Sequence, residues 1–326
     1  MDFKTWYLNT QGIATELGGL AILVSFSLWL RKRLRKFKVV LISKASTGYS
    51  QAFVDSFTLE LKNCCPYAEL SVAFAKDEDG NSFRAEFSKA IECRPSAIVI
   101  IVPHKKDGLA QLARKAMRAH IPVVCIDQGF EEIDCFCEDG LLPPAVISCD
   151  NEKGGTLAAL EFTRCLAPMA NVALVTGPLD SNTSNARKTA FIQTALAHGL
   201  VVCWEMETQH WDVRGKEDAI AQKKATCPVI DGIFCCNDRL AMQMLAITRR
   251  IWSNAPPKII GFDGISEAEI MVKDGALLAT IDQNVAAQAM LAVTELMIII
   301  NRGRTKYIKK HKVNNLIEPI LMNGES

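Results

Sequence analysis

From Phe37 onward the chain consists of short β-rich apolar runs, each followed by a stretch of helical spacing, and this alternation restricts the fold more than any other feature. The runs are KVVLIS (38–43), ELSVAFA (69–75), AIVIIV (97–102), PVVCID (122–127), AVISCD (145–150), NVALVTG (171–177), VVCWEME (201–207), GIFCCND (232–238), KIIGFD (258–263) and LLATIDQ (277–283). Near-continuous apolar runs, as opposed to alternating ones, mark strands buried on both faces, as in a parallel sheet covered by helices. The segments between them, such as QAFVDSFTLELKNC, KGGTLAALEFTRCL and DRLAMQMLAITRRI, are long enough to be crossover helices. A βαβ series of this kind predicts a doubly wound α/β protein. So many strands exceed one comfortable sheet, and two parallel-sheet lobes of about five strands each are expected.

Composition narrows the function. A chain of 326 residues suits two lobes, and 37 Lys plus Arg against 36 Asp plus Glu leave a net charge of +1, with no global field to attract nucleic acid. Twelve cysteines are many, but they form no paired C-x-x-C set. Several lie in apolar runs such as PVVCID, where a thiol behaves as a small hydrophobe. Core thiols are expected, with zinc or a disulfide framework as the alternative, and the number of thiols suits a reducing compartment. There is no G-x-S-x-G, no G-x-x-x-x-G-K-[ST] and no H-E-x-x-H, and the five histidines are scattered. Neither an enzyme nor a cofactor is expected.

One segment stands apart. Ile13 to Leu30, IATELGGLAILVSFSLWL, is followed at once by RKRLRKFK. Its uninterrupted part begins at Gly18 and is shorter than the roughly 20 residues that cross a bilayer, so a span has to start near Ile13 and tolerate Glu16. Positive charge behind the apolar core is the reverse of a cleaved signal peptide. A single membrane anchor through residues 13–30 is expected, with a soluble leading helix as the alternative. The flanking Arg31, Lys32, Arg33, Arg35, Lys36 and Lys38 place the main body on the cytoplasmic side.

In doubly wound sheets, ligands bind beyond the carboxyl ends of the strands. Those ends carry Ser43 to Tyr49, Asp127-Gln128, Asp150-Asn151, Asn237-Asp238, Asp263 and Gln283, without a Cys–His dyad or a metal cluster. Carboxylates and amides each hold two hydrogen bonds at fixed separation, which suits vicinal hydroxyls. Aromatic rings cover the C–H face of a sugar, and Tyr49 and Trp211 occupy loops where such covers could stand. A competing role is helix capping, expected of Asp150 and Asp238, with Asn151 open between cap and cleft. Trp211 could equally be a packed surface aromatic, and Tyr49 a helix-entry staple.

The pattern resembles the ribose- and galactose-type periplasmic sugar-binding proteins and the ligand-binding domain of lactose-repressor-type regulators. The resemblance is carried by IPVVCID (121–127), SCDNEKGGTLAALE (148–161), LVTGPLDSNTSNARKTAF (174–191), IDGIFCCNDRLAMQML (230–245) and IIGFDGISEAEIMVKDGALLATIDQN (259–284), in order along nearly all of 37–322. It implies a type I periplasmic-binding fold in which the chain crosses between lobes near 148, 283 and 306. The division that follows is an anchor and basic flank at 1–36, one lobe from 37–148 plus 283–305, and a second from 149–282 plus 306–322. The resemblance also implies a cleft lined by Thr47, Tyr49, Asp127, Gln128, Asn185, Trp211, Asn237, Asp263 and Gln283. Asp127, Asn237, Asp263 and Gln283 would bind hydroxyls, while Tyr49 and Trp211 would sandwich the ring. Ribose-binding members have arginine where this chain has Gln128 and Asn185, which puts ribose itself in doubt. Arg187 matches an arginine that is more often structural and is left out of the site.

The function these readings imply is a membrane-anchored receptor for a sugar or sugar-like molecule, working with an ABC transporter permease or a membrane signalling partner. The alternative is a cytoplasmic-side sugar sensor of the repressor branch, without a DNA-binding domain. The resemblance points to the periplasm or cell envelope, whereas the flanking charges and cysteines point to the cytoplasm.

Overall fold

The computed structural model describes residues 37–44, 48–76, 80–132, 134–309 and 313–324. The expected anchor at 13–30 and Thr47 lie outside these residues. Among the described residues no helix is long and apolar enough to cross a membrane.

The first sheet contains β1 (Phe37–Lys44), β2 (Ala68–Ala75), β3 (Ala97–Ile101), β4 (Val123–Ile126), β5 (Ala145–Cys149) and β11 (Asn314–Ile317), in the order β11-β5-β4-β3-β1-β2. The second contains β6 (Asn171–Thr176), β7 (Val201–Glu207), β8 (Gly232–Cys235), β9 (Lys258–Asp263), β10 (Ala279–Asp282) and β12 (Ile320–Asn323), in the order β12-β10-β9-β8-β6-β7. All pairings are parallel except β10 with β12. The strands with unbroken apolar runs are the central ones: every residue of β3, β4 and β8 is buried, because helices cover both faces.

On one side of the first sheet, α1 (Tyr49–Cys64) and α10 (Val285–Arg302) pack through Phe53, Phe57, Leu61, Ala292 and Leu296. The buried positions of α1, Phe53, Val54, Phe57 and Leu61, recur with helical period. The other side holds α2 (Asn81–Glu92), α3 (Leu109–Arg118) and the short α4 (Asp134–Cys137). The second sheet repeats the plan: α5 (Asn151–Cys165) and α6 (Asn182–Ala197) lie on one face, and α7 (Glu217–Thr226), α8 (Asp238–Ile251) and α9 (Ser266–Lys273) on the other. As expected, Asp150 caps α5, its Oδ1 accepting from Lys153 N at 2.9 Å.

The chain passes between the sheets three times: after Cys149, after Asp282, and between Ile317 and Ile320. The last crossing lies beyond the expected 306. Residues of α11 (Arg304–Lys309) belong to the first lobe, where Tyr307 is buried and donates to Glu295 Oε2 at 2.6 Å, and β11 then pairs with β5. The terminal part of the chain thus contributes a strand to each sheet, neither of them among the apolar runs of the sequence.

Candidate functional site

Each sheet reverses its strand order once, between β1 and β3 in the first and between β6 and β8 in the second. The loops leaving these strands face each other across a cleft of about 1160 Å³, where a doubly wound sheet binds its ligands. Across its mouth the loop after β3 meets the loop after β6, with His104 Nε2 2.7 Å from Asp180 Oδ1.

The second lobe supplies a dense floor. Asp238, at the first position of α8, is fully buried and accepts from Thr280 Oγ1 at 2.6 Å and from Ile265 N at 3.0 Å. It fits only because residue 261 is glycine: a Cβ there would lie 2.1 Å from Asp238 Oδ1. The GFDG and CND motifs are therefore two halves of one packed contact. Asp263, which ends β9 at φ 130, accepts from Gln283 Nε2 at 2.6 Å and lies 3.6 Å from Arg187 Nη1. Arg187 is itself buried, with Nε on Asn151 Oδ1 and Nη1 on the Cys236 carbonyl, both at 2.7 Å, and its guanidinium 3.6 Å above the Phe262 ring. Gln283 lies on the second crossing, is 3% exposed, and leaves its Oε1 buried without a partner among the described residues.

The first lobe is looser. Asp127 follows β4 at φ 73, a left-handed conformation that Asp tolerates better than most residues. Its side chain makes no hydrogen bond within the described residues, although it lines the cleft. Gln128 turns its Nε2 onto the carbonyls of Val102 and Pro103, at 3.3 and 3.2 Å. Tyr49, also lining the cleft, donates to Gln288 Oε1 of α10 at 2.8 Å.

The charges settle around Arg187. Burial pushes Asp263 up to about 6 against the pull of Arg187 and Gln283. Burial and the neighbouring Asp263 push Asp238 up to about 7. Burial also raises Asp127, opposed by Arg187, Lys44 and Lys106, and holds the Tyr49 phenol well above its usual range with the help of the Asp127 charge. The cleft contains enclosed hydrogen-bonding groups, and among the described residues it has no nucleophile–base pair and no cluster of side chains that could hold a metal. Its groups can bind and orient a polar ligand.

Of the residues implied by the resemblance, Tyr49, Asp127, Gln128, Trp211, Asn237, Asp263 and Gln283 line this cleft. Trp211 enters it at φ 54 with its ring against Gly177, where a Cβ would lie 2.5 Å from the indole. Asn185 does not line it: its Nδ2 is taken up by the Leu179 carbonyl at 2.6 Å, which ties down the loop before α6. The adjacent pair Asn237-Asp238 exchanges the role assigned to Asp238. Asn237 caps α8, its Oδ1 accepting from Leu240 N at 2.8 Å, while Asp238 turns inward to Thr280. Asn237 Nδ2 carries no hydrogen bond among the described residues. Asn151 is neither cap nor cleft residue, since it braces Arg187. Arg187, left out of the site on sequence grounds, lines the cleft and links four of its neighbours.

A family model described as periplasmic binding protein domain matches residues 38–305. The D-ribose/D-allose-binding protein of Pseudomonas aeruginosa is 24% identical over 244 residues, covering 74% of this chain and 74% of that protein. The ribose import binding protein of Escherichia coli K12 is 25% identical over 191 residues, 58% of this chain and 61% of that protein. Among solved structures, a periplasmic solute-binding protein from Actinobacillus succinogenes with bound D-allose superposes with a TM-score of 0.78 at 20% identity, covering 89% of this chain and 98% of that one. The Caulobacter myo-inositol-binding protein gives a TM-score of 0.73 at 20% identity, covering 89% and 94%. These relatives are named as binding proteins, none as an enzyme. With two doubly wound lobes facing one cleft and the family model spanning both, the chain belongs to the periplasmic binding protein domain family.

Proposed function

We propose that this protein is a receptor for a sugar or sugar-like polyol, held between the lobes and released by their separation, serving an ABC-type permease or a membrane signalling partner. One observation carries the reading: acceptors without partners face the cleft from both sides, the Asp127 carboxylate from the first lobe and the buried Gln283 Oε1 from the crossing. Buried polar atoms are nearly always paired, so the orphaned Gln283 Oε1 is an acceptor for a ligand hydroxyl, and the half-buried Asp127 carboxylate lining the cleft is a second. Contacts from both lobes are complete only when the cleft is shut, and ligand binding therefore shifts an open ensemble toward the closed one. Asp127, Asn237, Asp263 and Gln283 take the hydroxyls, while Tyr49 and Trp211 flank the ring.

The names of the relatives, which bind ribose, allose and myo-inositol, support hydroxylated ligands as a class. A thermal-shift panel of pentoses, hexoses and polyols tests it. A ligand at 100 times its Kd adds about 2.7 kcal/mol of stability, and a panel with no shift overturns the reading. Residues 13–30 would tether the receptor to the membrane, with the domain on the periplasmic side as in the family.

A second reading, the same domain as a cytoplasmic-side sensor, is favoured by the twelve cysteines, all of them free thiols. A topology reporter fused after Ser326 separates the two by the side on which it is active.

A further inference from the structure

We propose that Cys203 and Cys227 are a disulfide-forming pair, closed by a disulfide-type oxidant, and that the bond braces the segment carrying Trp211 into the cleft. The pair lies outside the cleft lining, so the inference is independent of which ligand the cleft takes.

A slip in β7 brings the two thiols together. β7 pairs with β6 in parallel, with Val202 opposite Val172 and Trp204 opposite Ala173, which leaves Cys203 as an extra residue without a counterpart. In a regular strand successive side chains alternate between faces. Cys203 would then share the α6 side with Glu205, whose carboxylate meets Lys188 of α6 at 2.9 Å. The bulge breaks that alternation. Val202 packs into the core on the side of α5 and α6, whereas the adjacent Cys203 and Trp204 both pack on the side of α7 and α8. Cys227, the residue after α7, joins the same cluster, and its thiol is in hydrogen-bonding contact with that of Cys203. Both are half-buried free thiols.

Between them the chain makes an excursion to the cleft. β7 runs into the loop that brings Glu207, His210 and Trp211 to the cleft lining, and α7 leads back. α7 is lightly held, with Ile220 as its one buried residue. A bond between residues 203 and 227 closes this excursion at its base, and a cross-link of that kind favours the folded form by restricting the unfolded chain.

The step is a thiol–disulfide exchange. Cys227 Sγ donates to the carbonyl of the exposed Val229 at 3.4 Å and is the thiol that an oxidant reaches from solution. Its thiolate attacks one sulfur of an external disulfide such as oxidised glutathione, whose S–S bond breaks to release one glutathione thiol. Cys203 then attacks Cys227 Sγ in the mixed disulfide and displaces the second glutathione. The protein loses two electrons and two protons, and the oxidant gains them as two thiols. Burial and the neighbouring Cys227 push Cys203 up to about 12, which suits it to the second, intramolecular attack. An oxidising compartment would hold the pair closed and a reducing one open.

The test is to reduce the full chain with dithiothreitol, incubate it with oxidised glutathione, alkylate the remaining thiols and map the peptides by mass spectrometry. The expected product is a monomer cross-linked between Cys203 and Cys227, with the adjacent Cys64 and Cys65 not joined to each other. Oxidation should raise Tm by roughly 5 °C, and dithiothreitol should reverse the rise. Under the same treatment Cys203→Ser should trap Cys227 as a mixed disulfide with glutathione and show no rise, and Cys227→Ser should show neither cross-link nor rise. The mapping is made on the native sequence and does not depend on either variant folding. A cross-link elsewhere, glutathione left on both cysteines, or both thiols still open to alkylation overturns the pairing. The cross-link without a rise in Tm overturns the bracing.

Discussion

The two lobes meet the cleft differently. In the second, Asp263, Gln283 and Arg187 form one network with Asn151 and the Cys236 carbonyl, and beside it Asp238 is held by Thr280 and the Ile265 N–H. In the first, Asp127 has no side-chain partner among the described residues, and Gln128 serves its own lobe's backbone. The same strand-end position is thus used in two ways. On one side a carboxylate is held in place by the protein before any ligand arrives, while on the other it is left for the ligand to satisfy. Substitutions in the two lobes should therefore separate stability from affinity.

The largest effect is expected at Arg187. Arg187→Met leaves Asp263, Asn151 and the Cys236 carbonyl without their shared partner in a buried setting. Removing one partner of a buried charged pair costs about 3–5 kcal/mol, a fall in Tm on the order of 10 °C for a domain of this size. Binding should be lost as well. A variant that melts like the parent would mean that the second lobe is no more preassembled than the first.

The counterpart in the first lobe is Asp127→Asn. The side chain gives up no hydrogen bond within the protein, asparagine tolerates the φ of 73, and a carboxyl raised by burial is replaced by a neutral group. Stability should change by less than about 0.5 kcal/mol or rise slightly. Affinity should fall roughly 10- to 100-fold, because a charge-assisted bond to the ligand is worth about 1.5–3 kcal/mol. Chemical denaturation and ligand titration of the one variant check both halves, and a large loss of stability would erase the contrast between lobes.

How much of this was readable in sequence follows the same division. The central strands announce themselves because burial on both faces demands unbroken apolar runs, as in AIVII and GIFC. The strands β11 (NNLI) and β12 (ILMN) do not, being four-residue edge strands with half-exposed positions, and the crossing that the resemblance implies near 306 lies between them. Within the site, the strand-end rule finds Asp127, Asp263 and Gln283 because each stops or follows a run. It cannot say which of Asn237 and Asp238 faces inward, since that depends on the space left by Gly261 on a neighbouring strand. Nor can it find Arg187, whose partners come from residues 151, 236, 262 and 263. Asn185 is the converse case: the motif aligns it with a ligand residue, and in the structure the loop takes its amide for the Leu179 carbonyl.

Titration gives a smaller effect, and its sign is fixed by the network in the second lobe. Asp263 is pushed up to about 6 and Asp238 to about 7, above the ordinary carboxylate value they have when unfolded. Between those values the folded protein holds more protons than the unfolded chain. Their contribution to stability is therefore fully present below about pH 4 and is lost as pH rises through 6 and 7. Melting curves of the unliganded protein from pH 5 to 8 should show Tm falling with pH, and Asp238→Asn should flatten the slope. A Tm that rises over this range would contradict the proton-holding network.

The smallest effect is expected where the lobes touch directly. His104 and Asp180 meet across the mouth at 2.7 Å, but Asp180 is 70% exposed, and an exposed contact of this kind is worth roughly 0–1 kcal/mol. His104→Ala should weaken binding less than about fivefold while leaving the melting of the unliganded protein unchanged, since the pair holds only the closed state together. If His104→Ala instead weakens binding as much as Asp127→Asn does, closure is governed by the rim and the unsatisfied carboxylate of the first lobe is secondary. If it leaves affinity unchanged, the ligand alone bridges the lobes and the acceptors of the cleft carry the whole of closure.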